Sequence, residues 1–168
     1  TWSTLPARPS TTALPRSGPR SIAHLGTFPP TQCGLATFGA ALVASLGTVS
    51  PSTRLGVIDV VERARRRDQR VGVQLVGGST ASASAAVSFA NDHDALVVEH
   101  EFGIYAGRDG ESVLDVLGGV TCPLLTVLHT VLGEPTVRQR AIIERLAVMS
   151  DAVIVMSGAA STRLLGAY

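Results

Sequence analysis

Six short apolar runs are the feature of this sequence that most restricts its fold. They lie at 22–27, 55–61, 71–76, 95–99, 124–128 and 152–156. Most of them are nearly continuous rather than alternating with polar residues, which is typical of strands buried on both faces of a parallel sheet. Helical patterns separate several of the runs. This alternation predicts an α/β fold, with a Rossmann-like, doubly wound, mostly parallel sheet.

The helical patterns between these runs differ in strength. The clearest is a single stripe of large apolar residues at one helix face, formed by Leu35, Phe38, Leu42 and Leu46. A short helix around 113–117 should end at Gly118-Gly119, and another should begin near Pro135. The segment 79–92 predicts a weaker helix because it offers mostly small residues for packing, and the chain ends within a further helical pattern.

One connection does not fit this alternation. Only the nine residues ERARRRDQR separate the second and third runs, which is short for a helical crossover between parallel strands. The spacing predicts either a hairpin at the edge of the sheet or a distorted connection. The arginine run itself is interpreted as a solvated turn rather than a polyanion site, because it is short and mixed with Glu62 and Asp68.

Length and composition limit the domain organisation. Four of the nine prolines lie in residues 1–21, which predicts a disordered leader before one domain at 22–168. A formal charge of +1 gives no reason to expect a nucleic-acid partner. Cys33 and Cys122 form no CxxC pair, so reduced thiols in a cytoplasmic protein are expected. The longest apolar stretch, 34–47, is too short to span a membrane.

The end of the first run, in FPPTQCGLATF, is a candidate phosphate-binding turn. Gln32, Cys33 and Gly34 precede a helical pattern, and a glycine there allows close approach of a ligand to the free amides of the first turn. Neither GxGxxG nor GxxxxGK[ST] is present, so the signal is neither a dinucleotide fingerprint nor a Walker loop. The alternative interpretation is a turn that simply requires one glycine.

Two further runs end in histidine. His100-Glu101 follows the fourth run and leads into a glycine-containing loop, where a general acid/base or a contact to a sugar hydroxyl is plausible. The alternative is a buried pair satisfied by nearby backbone. A metalloprotease helix would need histidine at position 104, where the chain has Ile104.

His129-Thr130 follows the fifth run in the same manner. Two histidines at the ends of successive strands predict a shared cleft, whereas His24 and His93 lack this context. The set His100, Glu101 and His129 has no further support as a metal site, and we predict no metal.

Four segments resemble the N-terminal half of bacterial family 4 (group 1) glycosyltransferases. They are FPPTQCGLATF, VVEHEFGIYAGRDG, TVLHTVLGEPTVRQR and SDAVIVMSGAASTRLL, which together extend over about 22–168. The similarity is greatest to the subset with a histidine-glutamate-(phenylalanine or tyrosine)-glycine motif and a threonine-x-histidine-threonine segment. Such enzymes have two Rossmann-like domains facing across a cleft, the GT-B arrangement, and act without a metal or other cofactor on a nucleotide-sugar co-substrate.

The resemblance also implies roles for individual residues. The turn at Gln32, Cys33 and Gly34 would approach the donor diphosphate, and His129 would be the catalytic residue near the transferred sugar. The residues expected to bind the acceptor substrate are His100, Glu101, Gly103 and Thr130. The expected partners are a nucleotide sugar and an acceptor that is a small molecule, glycan or lipid, with no nucleic acid.

In that family the C-terminal domain holds the nucleotide pocket and a glutamate pair seven residues apart, and this sequence ends before either. We therefore expect a retaining hexosyltransferase whose donor domain is missing here, inactive as this chain alone. We expect it in the cytoplasm, with a peripheral position at the inner membrane face as one option. Two alternatives remain open at this stage: a sugar-nucleotide epimerase of the same fold, and a non-catalytic Rossmann-like binding module.

Overall fold

The computed structural model describes residues 18–168, and these form one six-stranded sheet. The strands are β1 (Ser21–Gly26), β2 (Arg54–Val61), β3 (Val71–Val76), β4 (Ala95–His100), β5 (Leu124–Leu128) and β6 (Ala152–Val155). Each pair of neighbours is parallel, and the order across the sheet is β3-β2-β1-β4-β5-β6. The predicted α/β, Rossmann-like, doubly wound sheet is confirmed, and every predicted strand lies within about a residue of its apolar run.

Five α-helices lie in the described part of the chain. They are α1 (Gly34–Val49), α2 (Thr80–Asn91), α3 (Ser112–Leu117), α4 (Val137–Met149) and α5 (Gly158–Ala167). Side chains that accept a hydrogen bond from a first-turn amide define where most of them begin. Cys33, Ser79, Thr136 and Ser157 cap α1, α2, α4 and α5 in this way, and Gln139 completes a capping box with Thr136.

The order of the strands creates a topological switch point. The chain proceeds from β1 outward to β3 on one side, then returns to the other side of β1 and continues through β4, β5 and β6. The connections that follow β1 and β4 therefore leave in opposite directions. In open α/β sheets the resulting crevice at the carboxyl ends of the strands is where ligands bind.

The two faces of the sheet are covered unequally. The main core includes side chains from α2, α3 and α4, among them Ala86, Leu117 and Ile143, packed on one face. The other face has a small cluster in which Val43 of α1 packs with Phe28 and Val57. Helices on both faces were predicted and are present.

Helix α1 approaches the sheet more closely than its apolar stripe indicates. Its buried residues are Ala36, Gly39 and Val43, whereas the predicted stripe, which includes Leu35 and Phe38, is half-buried beside that line. A Cβ at Gly39 would lie 2.8 Å from Cε1 of His24. Gly39 therefore lets the helix backbone rest on an imidazole of the underlying strand.

The connection between β2 and β3 is irregular, and the hairpin alternative is wrong because the two strands are parallel. Nine extended residues reach about 30 Å, whereas a six-residue strand is only about 20 Å long. An extended segment can therefore return to the start of β3 without a helix. Arg63, Arg66, Arg67 and Arg70 are exposed there, as predicted for a solvated turn, but Arg65 is half-buried.

The amino end of the domain begins slightly earlier than predicted. Ser21 is already in β1, and the backbone amides of Arg20 and Ser21 donate to the Asp94 carboxylate at 2.7 and 3.2 Å. Residues 1–17 of the predicted leader at 1–21 lie outside the described residues. Within residues 18–168, no helix is both long enough and apolar enough to cross a membrane.

Candidate functional site

A buried carboxylate joins two histidines at the switch point. Glu99 of β4 is 1% exposed, and one of its oxygens is hydrogen-bonded to Nε2 of His129, which follows β5. Its other oxygen lies 3.4 Å from Nε2 of His24 in β1. We refer to these three residues as the His24–Glu99–His129 cluster. It connects β1, β4 and β5, the strands on which a ligand at the switch point would rest.

Glu99 remains ionised inside this cluster. Burial by itself raises the pKa of the carboxyl, but hydrogen bonds and electrostatic attraction from His129 and His24 outweigh that effect and leave the pKa below its usual value. An ionised carboxylate can only accept hydrogen bonds, so Nε2 of His129 must be the donor. In the neutral tautomer this leaves Nδ1 of His129 as an acceptor.

His129 lies at the boundary between the core and solvent. Its side chain is 14% exposed, and the Phe38 ring of α1 packs edge-on against it with centroids 4.9 Å apart. Its backbone amide donates to the carbonyl of His100 at 3.1 Å, which fixes the start of the loop after β5. Glu99 and Phe38 thus contact the imidazole on two sides, and its remaining surface can contact a ligand.

Sequence reasoning missed Glu99 and assigned no role to His24. Strand β4 continues through His100, and side chains alternate between the two faces of a strand. In the sheet, His24 of β1 pairs with Val97 of β4. Glu99 lies two residues beyond Val97, so its side chain points to the same face as that of His24. The sequence did contain a signal for this role: Glu99 is a charged residue inside an otherwise apolar strand run. A charged side chain needs a partner when it is buried.

The same alternation moves His100 away from the cleft. Its side chain is fully buried, with Phe102 packed edge-on at 5.1 Å and Tyr105 stacked at 6.4 Å between ring centroids. Burial, with a smaller contribution from the nearby His129, lowers the pKa of His100 to about 4, although Glu101 opposes this effect. His100 is buried, as in the alternative interpretation, but neither of its ring nitrogens has a hydrogen-bond partner among the described residues, so it is not satisfied by nearby backbone. A contact between His100 and an acceptor stays a prediction.

Glu101 and Thr130 are brought together at the same edge. The Thr130 hydroxyl donates to Oε2 of Glu101, and the Phe102 amide donates to Oε1 at 2.9 Å. Both residues are half-buried, so the pair combines a fixed carboxylate with access to solvent. Gly103 is exposed, and a Cβ built there would meet no atom within 4 Å.

The predicted phosphate turn forms the start of α1. Cys33 is the N-cap, its sulfur accepts from the Ala36 amide at 3.4 Å, and the Thr27 hydroxyl lies 3.5 Å from the same sulfur. Gln32 and Gly34 are exposed, with open space around Gly34. The first amides of a helix have no intrahelical acceptors, and here they lie at the carboxyl edge of β1.

An ion pair fixes the loop before this turn. Asp59 is 1% exposed and accepts from the Phe28 amide at 3.0 Å and from Arg65 at 2.9 Å. Arg65 also donates to the Phe28 carbonyl at 3.2 Å and to the Thr31 hydroxyl at 2.6 Å. Burial raises the pKa of Asp59, although its bonds to Arg65 and Phe28 partly offset that effect. Nothing in the solvated-turn interpretation of the arginine run anticipated this role.

No group of three or more histidine, cysteine, aspartate or glutamate side chains within residues 18–168 is arranged to hold a metal ion. That the reaction needs no metal or other cofactor stays a prediction.

Comparison with known proteins relates the fold to glycosyltransferases. No protein-family model and no curated protein matches the sequence. An alpha-glucosyltransferase in complex with UDP and a 13-mer DNA containing a central A:G mismatch superposes with a TM-score of 0.59 and 11% identity. The match covers 82% of this chain and 37% of that enzyme.

A second structure gives the same result. It is an alpha-glucosyltransferase in complex with UDP and a 13-mer DNA containing a HMU base, with a TM-score of 0.56, 12% identity, and coverage of 80% of this chain and 37% of that chain. The chain therefore spans little more than a third of these enzymes. Since the identity is low, the likeness concerns the fold alone: the chain has a Rossmann-like fold similar to that of GT-B glycosyltransferases.

Proposed function

We propose that residues 22–168 form the N-terminal, acceptor-side domain of a family 4 (group 1) glycosyltransferase. The complete enzyme would transfer a sugar from a nucleotide-sugar donor to an acceptor hydroxyl with retention of configuration. The observation that carries this proposal is the His24–Glu99–His129 cluster, which lies at the switch point of a sheet whose fold is similar to that of glycosyltransferases. Titratable groups with perturbed pKa values at such a position mark candidate reaction sites.

The donor side of the reaction requires stabilisation of a departing diphosphate. The start of α1 supports this role, because its free amides and the positive end of the helix dipole attract an anion. Gln32, Cys33 and Gly34 are the residues that would approach the diphosphate. The bonds from Arg65 to Phe28 and Thr31 hold the preceding loop in place, so little reorganisation would be needed when the donor binds.

The acceptor side requires an oriented hydroxyl. His129 is assigned the catalytic role, since Glu99 holds its Nε2–H and leaves Nδ1 to accept a hydrogen bond from a sugar hydroxyl. Glu101 and Thr130, with the open backbone at Gly103, would bind the acceptor beside it. His100 contributes through its carbonyl, which anchors the amide of His129.

Other parts of the proposal rest on the resemblance and the composition. A second Rossmann-like domain would supply the nucleotide pocket and exclude water from the cleft, so the 168-residue chain alone would be inactive. The reaction would need no metal or other cofactor, and the enzyme would be cytoplasmic, with a peripheral position at the inner membrane face as one option. The compared enzymes are bound to DNA. We nevertheless propose an acceptor other than nucleic acid, since the net charge is only +1.

The test uses the protein encoded by the complete reading frame that contains this sequence. A panel of nucleotide sugars is incubated with it, and release of the nucleoside diphosphate and formation of the glycoside are followed. We expect His129→Ala to lower turnover about 10²-fold or more, the usual effect of removing a positioned acid/base group. The melting temperature should also fall, because the buried carboxylate of Glu99 loses its hydrogen-bond donor, so turnover is compared at a temperature at which the variant is folded.

His93→Gln is the matched control. His93 is buried just before the amino end of β4, far from the carboxyl ends of the strands, and its Nδ1 bonds to the Phe89 carbonyl at 2.8 Å. The His93→Gln variant should therefore lose stability but keep its turnover rate once folded. A destabilised but fully active His129→Ala enzyme would sink the catalytic assignment. The anomeric configuration of the product, read by proton NMR, tests retention. Interconversion of the nucleotide sugar without an acceptor would instead indicate an epimerase.

A further inference from the structure

A cavity of about 350 Å³ lies beside the candidate site. It is bounded by the carboxyl ends of β2 and β3, the first turn of α2, the loop 103–106 and part of α3. Its walls are mainly apolar, and they include Val61, Val76, Ala83, Ile104, Ala106 and Val116. A volume of this size lies at the lower end of the range for pockets that bind small molecules. An apolar cavity that opens at the ligand-binding edge of the sheet has the properties of a binding subsite.

The charges around the cavity restrict what it can hold. Two carboxylates, Glu62 and Asp115, lie among its lining residues, and the lining includes no arginine or lysine. An anion in this position would meet two like charges and no basic side chain, and only the first-turn amides of α2 would attract it. The lining therefore disfavours an anion, and its apolar walls favour a ligand whose surface is mostly apolar.

The cavity and the His24–Glu99–His129 cluster lie on opposite faces of the sheet, because the cavity is lined by α2 and α3 and the cluster packs against α1, but both lie at the carboxyl ends of the strands. Tyr105 lines the cavity, and its hydroxyl donates to the backbone carbonyl of Glu99 at 2.7 Å. Gly103, the exposed glycine after Glu101, also lines the cavity. The cavity therefore contacts the same loop that leads away from the His24–Glu99–His129 cluster.

The geometry of the sheet gives the length of a ligand that could use both places. From β2 to β5 there are three strand spacings, because β1 and β4 lie between them. At about 4.8 Å each, these spacings add to about 14 Å. A molecule with its body in the cavity and a hydroxyl near His129 would pass over the carboxyl ends of the strands and would need an extended shape of at least this length.

We propose that this cavity binds the apolar body of the acceptor, and that the acceptor is a neutral aliphatic or aromatic alcohol rather than a sugar phosphate or another anion. This inference rests on the proposed transferase function, because the acceptor is a substrate of that reaction. The occupancy of the cavity can nevertheless be measured without any transfer reaction, since the groups that form it belong to one chain.

The test measures binding of 2-naphthol and of 2-naphthalenesulfonate to the 168-residue chain by ligand fluorescence and by protein NMR. The two probes share one ring system and differ in charge. We expect saturable binding of 2-naphthol, with 2-naphthalenesulfonate at least about tenfold weaker. Ala83→Trp, from α2, and Ala106→Trp, from the loop 103–106, both fill the cavity and should each weaken 2-naphthol binding by about tenfold or more. Ala81→Trp is the control, because Ala81 is exposed on the same helix and does not line the cavity.

The inference is overturned if the wild-type chain shows no saturable binding of 2-naphthol, or if both filling variants bind it as well as Ala81→Trp does. Stronger binding of the sulfonate would contradict the charge argument and would also overturn it. Circular dichroism checks that each variant is folded. Two filling variants are used so that the test can still be made if one of them fails to fold. None of these outcomes depends on a nucleotide sugar, so failure here is distinct from failure of the transferase assay.

Discussion

The buried imidazole of His100 should make the domain sensitive to mild acid. Its ring is fully buried between aromatic side chains, and neither ring nitrogen has a hydrogen-bond partner among the described residues. Burial lowers its pKa from 6.5 to about 4. The unfolded chain would take up this proton at about pH 6.5, whereas the folded chain would do so only near pH 4. Between these values the unfolded state binds more protons, so stability falls as the pH falls.

The size of the effect follows from the shift. The two pKa values differ by about 2.5 units, and each unit corresponds to about 1.4 kcal/mol. Titration of His100 should therefore remove about 3 kcal/mol between pH 7 and pH 4, with only a small further loss from this group below pH 4. A domain of this size has a free energy of unfolding of about 5–15 kcal/mol, so the loss is large enough to measure.

His100→Phe removes the titrating group and keeps an aromatic ring beside Phe102 and Tyr105. Urea unfolding of the wild type and the variant at several values between pH 7 and pH 4.5 gives the two slopes. The variant should lose markedly less stability over this range. Some dependence should remain in both proteins, because burial also lowers the pKa of His93. Equal losses in the wild type and in His100→Phe would show that the imidazole is already solvated or charged in the folded state, and the reasoning would be refuted.

Two further substitutions test the packing around the site. Gly39→Ala places a methyl group 2.8 Å from Cε1 of His24, so either α1 or the imidazole must move, and we expect a loss of about 1–3 kcal/mol in urea unfolding. An unchanged free energy would show that α1 does not rest on His24. Arg65→Ala leaves the buried carboxylate of Asp59 without its cation and should cost about 3 kcal/mol or more. Arg66→Ala is the control, because Arg66 is an exposed neighbour in the same run, and its free energy of unfolding should stay within about 0.5 kcal/mol of that of the wild type. Similar losses in the two variants would show that Arg65 has no special structural role.

The fold could be predicted because its signals are local. Runs buried on both faces are mostly apolar, and Gly118 and Pro135 mark helix boundaries through backbone effects that need no tertiary context. The connection between β2 and β3 was harder to predict. Its path depends on Arg65 reaching Asp59 and the loop at Phe28, and contacts between distant segments leave no periodic pattern.

The candidate site could be predicted only in part, for a geometric reason. The carboxyl ends of parallel strands meet at one edge, so His129, Thr130 and Glu101 were expected to lie near each other from their positions alone. Which side chain faces the cleft depends on where each strand ends. An error of one residue exchanges the two faces. The sequence prediction ended β4 at Glu99, whereas the strand continues through His100. This difference of one residue is why the ligand contact was assigned to His100 and Glu99 was overlooked.

The position of Glu99 conflicts with its surroundings, and that conflict supports a functional role. A carboxylate that is 1% exposed is expensive to bury, and an apolar residue of similar size would suit the run LVV better. The charge is held by two imidazoles. Gly26 and Gly39 leave the space that Glu99 and the His24 ring occupy, since a Cβ at either position would come within about 3 Å of them. Four positions on three elements are thus adapted to one charge. Packing alone would be satisfied by a simpler arrangement, whereas a reacting group near a ligand needs its orientation and protonation fixed.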